Sequence, residues 1–140
     1  MIEIEIINAS LESSLAGLSV DPFCVIKLFG RELARTQPCP DSIEPIWNEK
    51  FLKTHTDLSL KERINNRPFF LESLDVEIRD SSRGGSTNEK DKSIKLCEAK
   101  VPLCNIGTFK CYKLSKPLTS SDSESTEVGR IFIRINRLES

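Results

Sequence analysis

Hydrophobic and polar residues alternate with period two in short runs along most of this chain. Ile2, Ile4 and Ile6 alternate with Glu3 and Glu5; Leu74, Val76 and Ile78 with Asp75, Glu77 and Arg79; and Ile131, Ile133 and Ile135 with Phe132 and Arg134. Period two puts successive side chains on opposite faces of an extended backbone, so each run reads as a half-buried strand. Eight strands are predicted, at about Ile2–Ile7, Phe23–Phe29, Leu33–Gln37, Trp47–Leu52, Leu71–Arg79, Ile94–Val101, Phe109–Lys113 and Arg130–Ile135. Clusters of Gly, Pro, Asn and Ser separate them, which points to an all-β antiparallel sandwich.

The connections are the polar stretches between the runs. Ala9–Val20 joins the first two strands, and Thr54–Pro68 holds Ser59-Leu60-Lys61-Glu62, a candidate capping box for one helical turn. Asp80–Ser93 contains Gly84-Gly85, and Lys116–Gly129 is a Ser-rich, low-complexity insertion before the last strand. A length of 140 residues suits one domain, expected to span 1–140 and to be monomeric in isolation.

Two phrases sharpen this reading. The first is Asp21-Pro22-Phe23-Cys24-Val25-Ile26-Lys27-Leu28 and the second Pro45-Ile46-Trp47-Asn48-Glu49-Lys50-Phe51, with Arg35-Thr36 between them. Pro22 biases Asp21 toward extended geometry; after it Cys24, Ile26 and Leu28 share one face and Lys27 takes the other. Asn48 is a residue that ties a turn to its own backbone. In this order the phrases resemble the C2 domain signature, a D-P-Y-V-type strand, a basic-Thr step and then N-P-x-W-N-E-x-F. The resemblance implies an eight-stranded C2-like Greek-key sandwich and a binding module rather than an enzyme. Lys100-Val101-Pro102-Leu103, Phe109–Leu114 and Gly129–Ile135 further resemble C2 domains found beside Ras GTPase-activating domains, which would make this chain the targeting or regulatory part of a larger protein.

Composition excludes other classes. The net charge of −1 exerts no global pull on nucleic acid or anionic lipid, so any electrostatic binding must come from a local patch, and no apolar run approaches the ~20 residues that span a bilayer. Five cysteines lack any C-x-x-C spacing, which suits a reducing, cytoplasmic setting, and the resemblance adds peripheral membrane association to that expectation. The single histidine, His55, has no motif placing a nucleophile beside it, so no catalytic residue is expected.

A calcium site needs about 6–8 oxygen ligands, and the resemblance implies where its acids would stand. Asp21 matches the D-P-Y aspartate and Asp80 the first acid of a D-x-D pair whose second position is Ser82. Ser13-Ser14-Leu15-Ala16-Gly17 supplies no acid to the first loop, Asp91 aligns only loosely, and Arg83, Lys90 and Lys92 oppose a cation. Asp21 and Asp80 are therefore read as remnants, with no metal or other cofactor expected and Asp21 capping loop backbone instead. C2 domains lacking calcium commonly bind anionic phospholipid or a protein partner. The candidate contacts are Lys27, Arg31 and Arg35 on one strand pair and Arg83, Lys90, Lys92 and Lys95 at the long loop, while Leu15 and Leu18 are the nearest candidates for insertion. The alternatives are a calcium-dependent phospholipid binder and a pure protein–protein scaffold.

Overall fold

A computed structural model of the chain describes residues 2–13, 20–53, 73–81, 93–103, 109–115 and 126–137. Eight strands are formed: β1 (Ile2–Leu11), β2 (Pro22–Leu28), β3 (Arg31–Arg35), β4 (Ile46–Lys53), β5 (Ser73–Asp80), β6 (Ile94–Pro102), β7 (Phe109–Ser115) and β8 (Glu127–Arg137). Their order is β3-β2-β5-β6-β7-β8-β1-β4, and every pairing is antiparallel.

One joint in that order is thin. β6 and β7 are bridged only at Glu98 and Ser115, so the sheet divides there into two four-stranded halves. Their inner faces meet in one core. Cys24, Ile26, Leu28, Val76 and Ile78 from one half pack in the same buried cluster as Ile4, Ile6, Ile131, Ile133 and Ile135 from the other. This is the antiparallel sandwich that the alternation predicts. β1–β2, β3–β4 and β4–β5 cross between the halves, and the ends of β1, β3 and β5 lie at the end of the sandwich where β2, β4 and β6 begin.

Several strand boundaries differ from the sequence expectation, and four of the differences bear on the site. β1 runs on to Leu11, because Ala9 and Leu11 are buried and pair with Ile131 and Gly129 of β8. β8 correspondingly starts at Glu127, inside the expected insertion. β3 begins at Arg31 and ends at Arg35, two residues earlier than alternation suggests, because a bulge between Ile26 and Lys27 lets both Leu33 and Ala34 reach the core. Phe29 leaves β2 and stands in the turn to β3. The Ser59–Glu62 segment, Leu15, Leu18 and His55 lie outside the described residues.

Gly129 shows how closely β8 and β1 approach. A Cβ there would press on the carbonyl oxygen of Ser10, an atom that cannot swing aside as a side-chain tip can. β4 is an edge strand with a bulge opposite β1, and Asn48 occupies it with φ of 49°. Asn tolerates this left-handed region better than most residues. Asn48 thus serves a strand bulge rather than the loop turn expected of it.

Candidate functional site

The signature phrases fold into a bracket around one end of the sandwich. Thr36 is buried and takes over the pairing where β3 stops: its Oγ1 accepts the Cys24 N–H at 2.9 Å, and its own N–H donates to the Cys24 carbonyl at 2.9 Å. Trp47 Nε1 donates to the Pro22 carbonyl at 3.3 Å, and the Cys39 N–H donates to the same oxygen at 2.9 Å. Glu49 accepts the Gln37 N–H at 2.8 Å. These side chains satisfy backbone groups that the crossing loop would otherwise leave unpaired.

Asp21 and Asp80 meet at this end. Asp21 Oδ1 accepts the Asp41 N–H at 2.8 Å, which is the loop-capping use of a turn aspartate. The Asp21 N–H donates to Asp80 Oδ1 at 3.0 Å, and the Ser81 N–H donates to the Asp21 carbonyl at 3.1 Å. Asp80 is fully buried. One oxygen of each carboxylate is therefore committed to backbone, and among the described residues no three Asp, Glu, His or Cys side chains are grouped to hold a metal ion.

The cationic candidates gather elsewhere, on the outer face of the β3-β2-β5-β6 half. Residues opposite one another in an antiparallel pair share a face, so the registers define rows across the sheet. Glu32, Lys27, Asp75 and Lys100 form one row; Arg35, Val25, Glu77 and Glu98 the next; and Phe23, Arg79 and Lys95 lie at the end nearest Asp21. Lys27, Arg35 and Lys95 are thus brought together. Arg31 is not: it sits opposite Leu28, on the other side of the strand from Lys27. Arg83, Lys90 and Lys92 lie outside the described residues.

This face is laced by ion pairs. Arg35 grips Glu32 through Nη2 at 2.7 Å and Nε at 3.3 Å, and its guanidinium lies 5.0 Å from the centre of the Phe23 ring. Lys95 pairs with Glu98 at 2.9 Å and Lys100 with Asp75 at 3.4 Å. At the middle stands Glu77, whose side chain is only 11% exposed, held by Lys27 at 3.2 Å and Arg79 at 2.8 Å. Burial alone would raise the Glu77 carboxyl. The hydrogen bonds from Arg79 and Lys27 outweigh it and hold the group below the ordinary glutamate range. Arg79 also donates to the Ser93 hydroxyl and carbonyl at 2.6 and 2.9 Å. The polar face of β5, whose alternation is plain in the sequence, marks Arg79 as outward-facing. No sequence signal marks Glu77 as the buried hub of three charges.

Cys24 and Cys97 flank Ile78 across β2, β5 and β6, and burial pushes both thiols up, that of Cys97 to about 12. A cleft of about 220 Å³ lies between β1 and β8, lined by Ser10, Leu11, Glu12, Glu127, Gly129 and Arg130; there Arg130 pairs with Glu127 at 3.2 Å.

The antiparallel sandwich and the signature phrases that bracket one of its ends define the class of this chain. The profile of the C2 domain family matches residues 1–110, and this chain belongs to that family. C2 domains are generally non-catalytic. Among solved structures the chain is similar to a C2 domain of plant extended synaptotagmin 1, at 17% identity and a TM-score of 0.59, covering 96% of this chain and 91% of that one. It is also similar to a C2 domain-containing protein from a putative elicitor-responsive gene, at 18% identity, a TM-score of 0.61 and coverage of 96% and 85%. A third likeness, to human GIVD cytosolic phospholipase A2, has 15% identity and a TM-score of 0.52, and covers 98% of this chain but 16% of the enzyme. At these identities the likeness extends to the fold. No individual curated protein sequence matches the chain. Among the described residues no helix is long and apolar enough to cross a membrane.

Proposed function

We propose that this C2 domain attaches to anionic membrane surfaces without calcium, through the outer face of the β3-β2-β5-β6 half. The observation that carries the reading is the gathering of Lys27, Arg35, Arg79, Lys95 and Lys100 on that one face. Not all five are equally available. Lys27 and Arg79 hold the buried Glu77, and withdrawing them would strand a charge of low exposure. The pairs of Arg35, Lys95 and Lys100 are more exposed, and pairs of that kind are worth only about 0–1 kcal/mol. A lipid phosphate can replace Glu32, Glu98 or Asp75 at little cost. The five cations outnumber the four acids of the same face by one, so at ~1 kcal/mol per net charge near an anionic leaflet the attachment is weak, reversible and abolished by salt.

The calcium-free part of the reading is supported by the commitment of Asp21 and Asp80 to backbone N–H groups. Co-sedimentation with phosphatidylserine-containing vesicles tests both parts. Binding is expected in chelator, is lost at high salt, and falls by about tenfold or more when Arg35, Lys95 and Lys100 are together changed to Glu. Binding that appears only with added calcium would overturn the calcium-free reading. No binding at low salt in either condition would overturn the membrane reading and favour a protein partner.

A further inference from the structure

The hairpin between β2 and β3 turns on Phe29 and Gly30, and both are left-handed, with φ of 52° and 78°. Two consecutive positive φ values are the pattern of the type I′ hairpin turn, which favours Asn-Gly or Gly-Gly because a Cβ crowds the neighbouring carbonyl. Gly30 meets this requirement. Phe29 does not, since a bulky aromatic is among the poorest choices for that region. Burial compensates it only in part: Phe29 is 39% exposed at the tip of the hairpin. Local geometry disfavours an aromatic here and packing covers it incompletely, and such a strained, part-exposed position points to an outside partner.

The surroundings indicate which partner. The last row of the outer face before the tip is Glu32, Lys27, Asp75 and Lys100, with Lys100 80% exposed, and Arg31 directly follows the turn. Lys27 stays on Glu77, while Arg31 and Lys100 stand beside the ring, and an aromatic flanked by such cations suits the interface of an anionic bilayer. There the ring sits at the level of the headgroups and the cations meet phosphate.

We propose that Phe29 is the membrane anchor of this domain, inserting hairpin-first into an anionic bilayer. The seven residues of β2 place the tip about 20 Å from Asp21, at the opposite end of the sandwich. The inference rests on the reading of the outer face as an anionic surface contact; it adds which end of the fold enters the membrane and which residue leads.

The full chain carrying Phe29→Trp, mixed with phosphatidylserine vesicles whose acyl chains are brominated, tests it. Trp47 is buried and bonded to the Pro22 carbonyl at the far end, so the wild-type emission is an internal control. On vesicles, the emission of the Phe29→Trp variant shifts to the blue and is quenched, and that of the wild type is not. Phe29→Asn, which suits the left-handed turn, raises the melting temperature by about 2–4 °C while lowering vesicle affinity about tenfold. A folding defect cannot produce that opposition of signs. Vesicles that sediment F29W without quenching it, or that bind F29N as tightly as the wild type, overturn the anchor and leave the membrane reading standing. Vesicles that sediment neither the wild type nor F29W overturn both.

Discussion

Glu77 offers the sharpest test of how the cationic face is built. Glu77→Gln removes one negative charge while keeping the shape of the side chain and one acceptor oxygen. The charge-assisted bonds from Arg79 at 2.8 Å and Lys27 at 3.2 Å become ordinary ones, and two cations lose their counter-charge. Removing one partner of a fully buried pair costs about 3–5 kcal/mol, but Glu77 keeps some access to water and glutamine still accepts from Arg79. Hydrogen bonds to charged groups contribute about 1.5–3 kcal/mol, so a net loss of about 1–3 kcal/mol is expected at neutral pH. Thermal and urea unfolding read it directly. The pH dependence supplies the sign. The folded carboxyl titrates below its unfolded value, so the unfolded chain takes up the proton first as acid is added. The stabilisation is complete above about pH 4.5 and is lost as the pH falls through the depressed folded value. A protonated glutamate resembles glutamine, so the stability gap between wild type and variant should close on acidification. Equal stabilities at neutral pH, or a gap unchanged down to about pH 2.5, would falsify the ion-pair account.

Two further outcomes follow from the bracket and the core. Thr36→Val leaves the buried Cys24 N–H without its 2.9 Å acceptor and should cost about 1–3 kcal/mol, whereas Thr36→Ser keeps the oxygen and should cost less; denaturant melts in which Ser is as damaging as Val would remove the hydrogen bond from the explanation. Cys111 is exposed and should react with a thiol reagent in the native protein, while Cys24 and Cys97, buried and with raised pKa values, should react only on unfolding; peptide mapping that finds native labelling at Cys24 would contradict the packing.

The eight strands and the identity of the family were legible in the sequence because alternation and turn residues are local properties. Ile2-Glu3-Ile4-Glu5-Ile6 has one core face whatever it pairs with, and Asp21-Pro22, Thr36 and Trp47-Asn48-Glu49 mark the bracket before its bonds are known. That Lys27 faces away from the core was also local, since its neighbours Ile26 and Leu28 settle it by period. Register was not legible. A bulge between Ile26 and Lys27 decides that Arg31 faces away from Lys27 while Arg35 joins it, and no single strand contains that information. Phe29 continues the apolar run of β2 and reads as strand; only the closure of β2 on β3 at Leu28 and Arg31, with Gly30 free to take a positive φ, puts its ring at a tip. Glu77 lies on the polar phase of β5, yet Lys27 from β2 and Arg79 close over it, so its burial belongs to the assembled sheet. Along Ile2–Ile6, Leu74–Ile78 and Ile131–Ile135 the inward residues follow from hydrophobicity and a two-residue period alone. Which outward residues meet depends on register and bulges, and those were decided only when the two halves of the sheet closed on a common core.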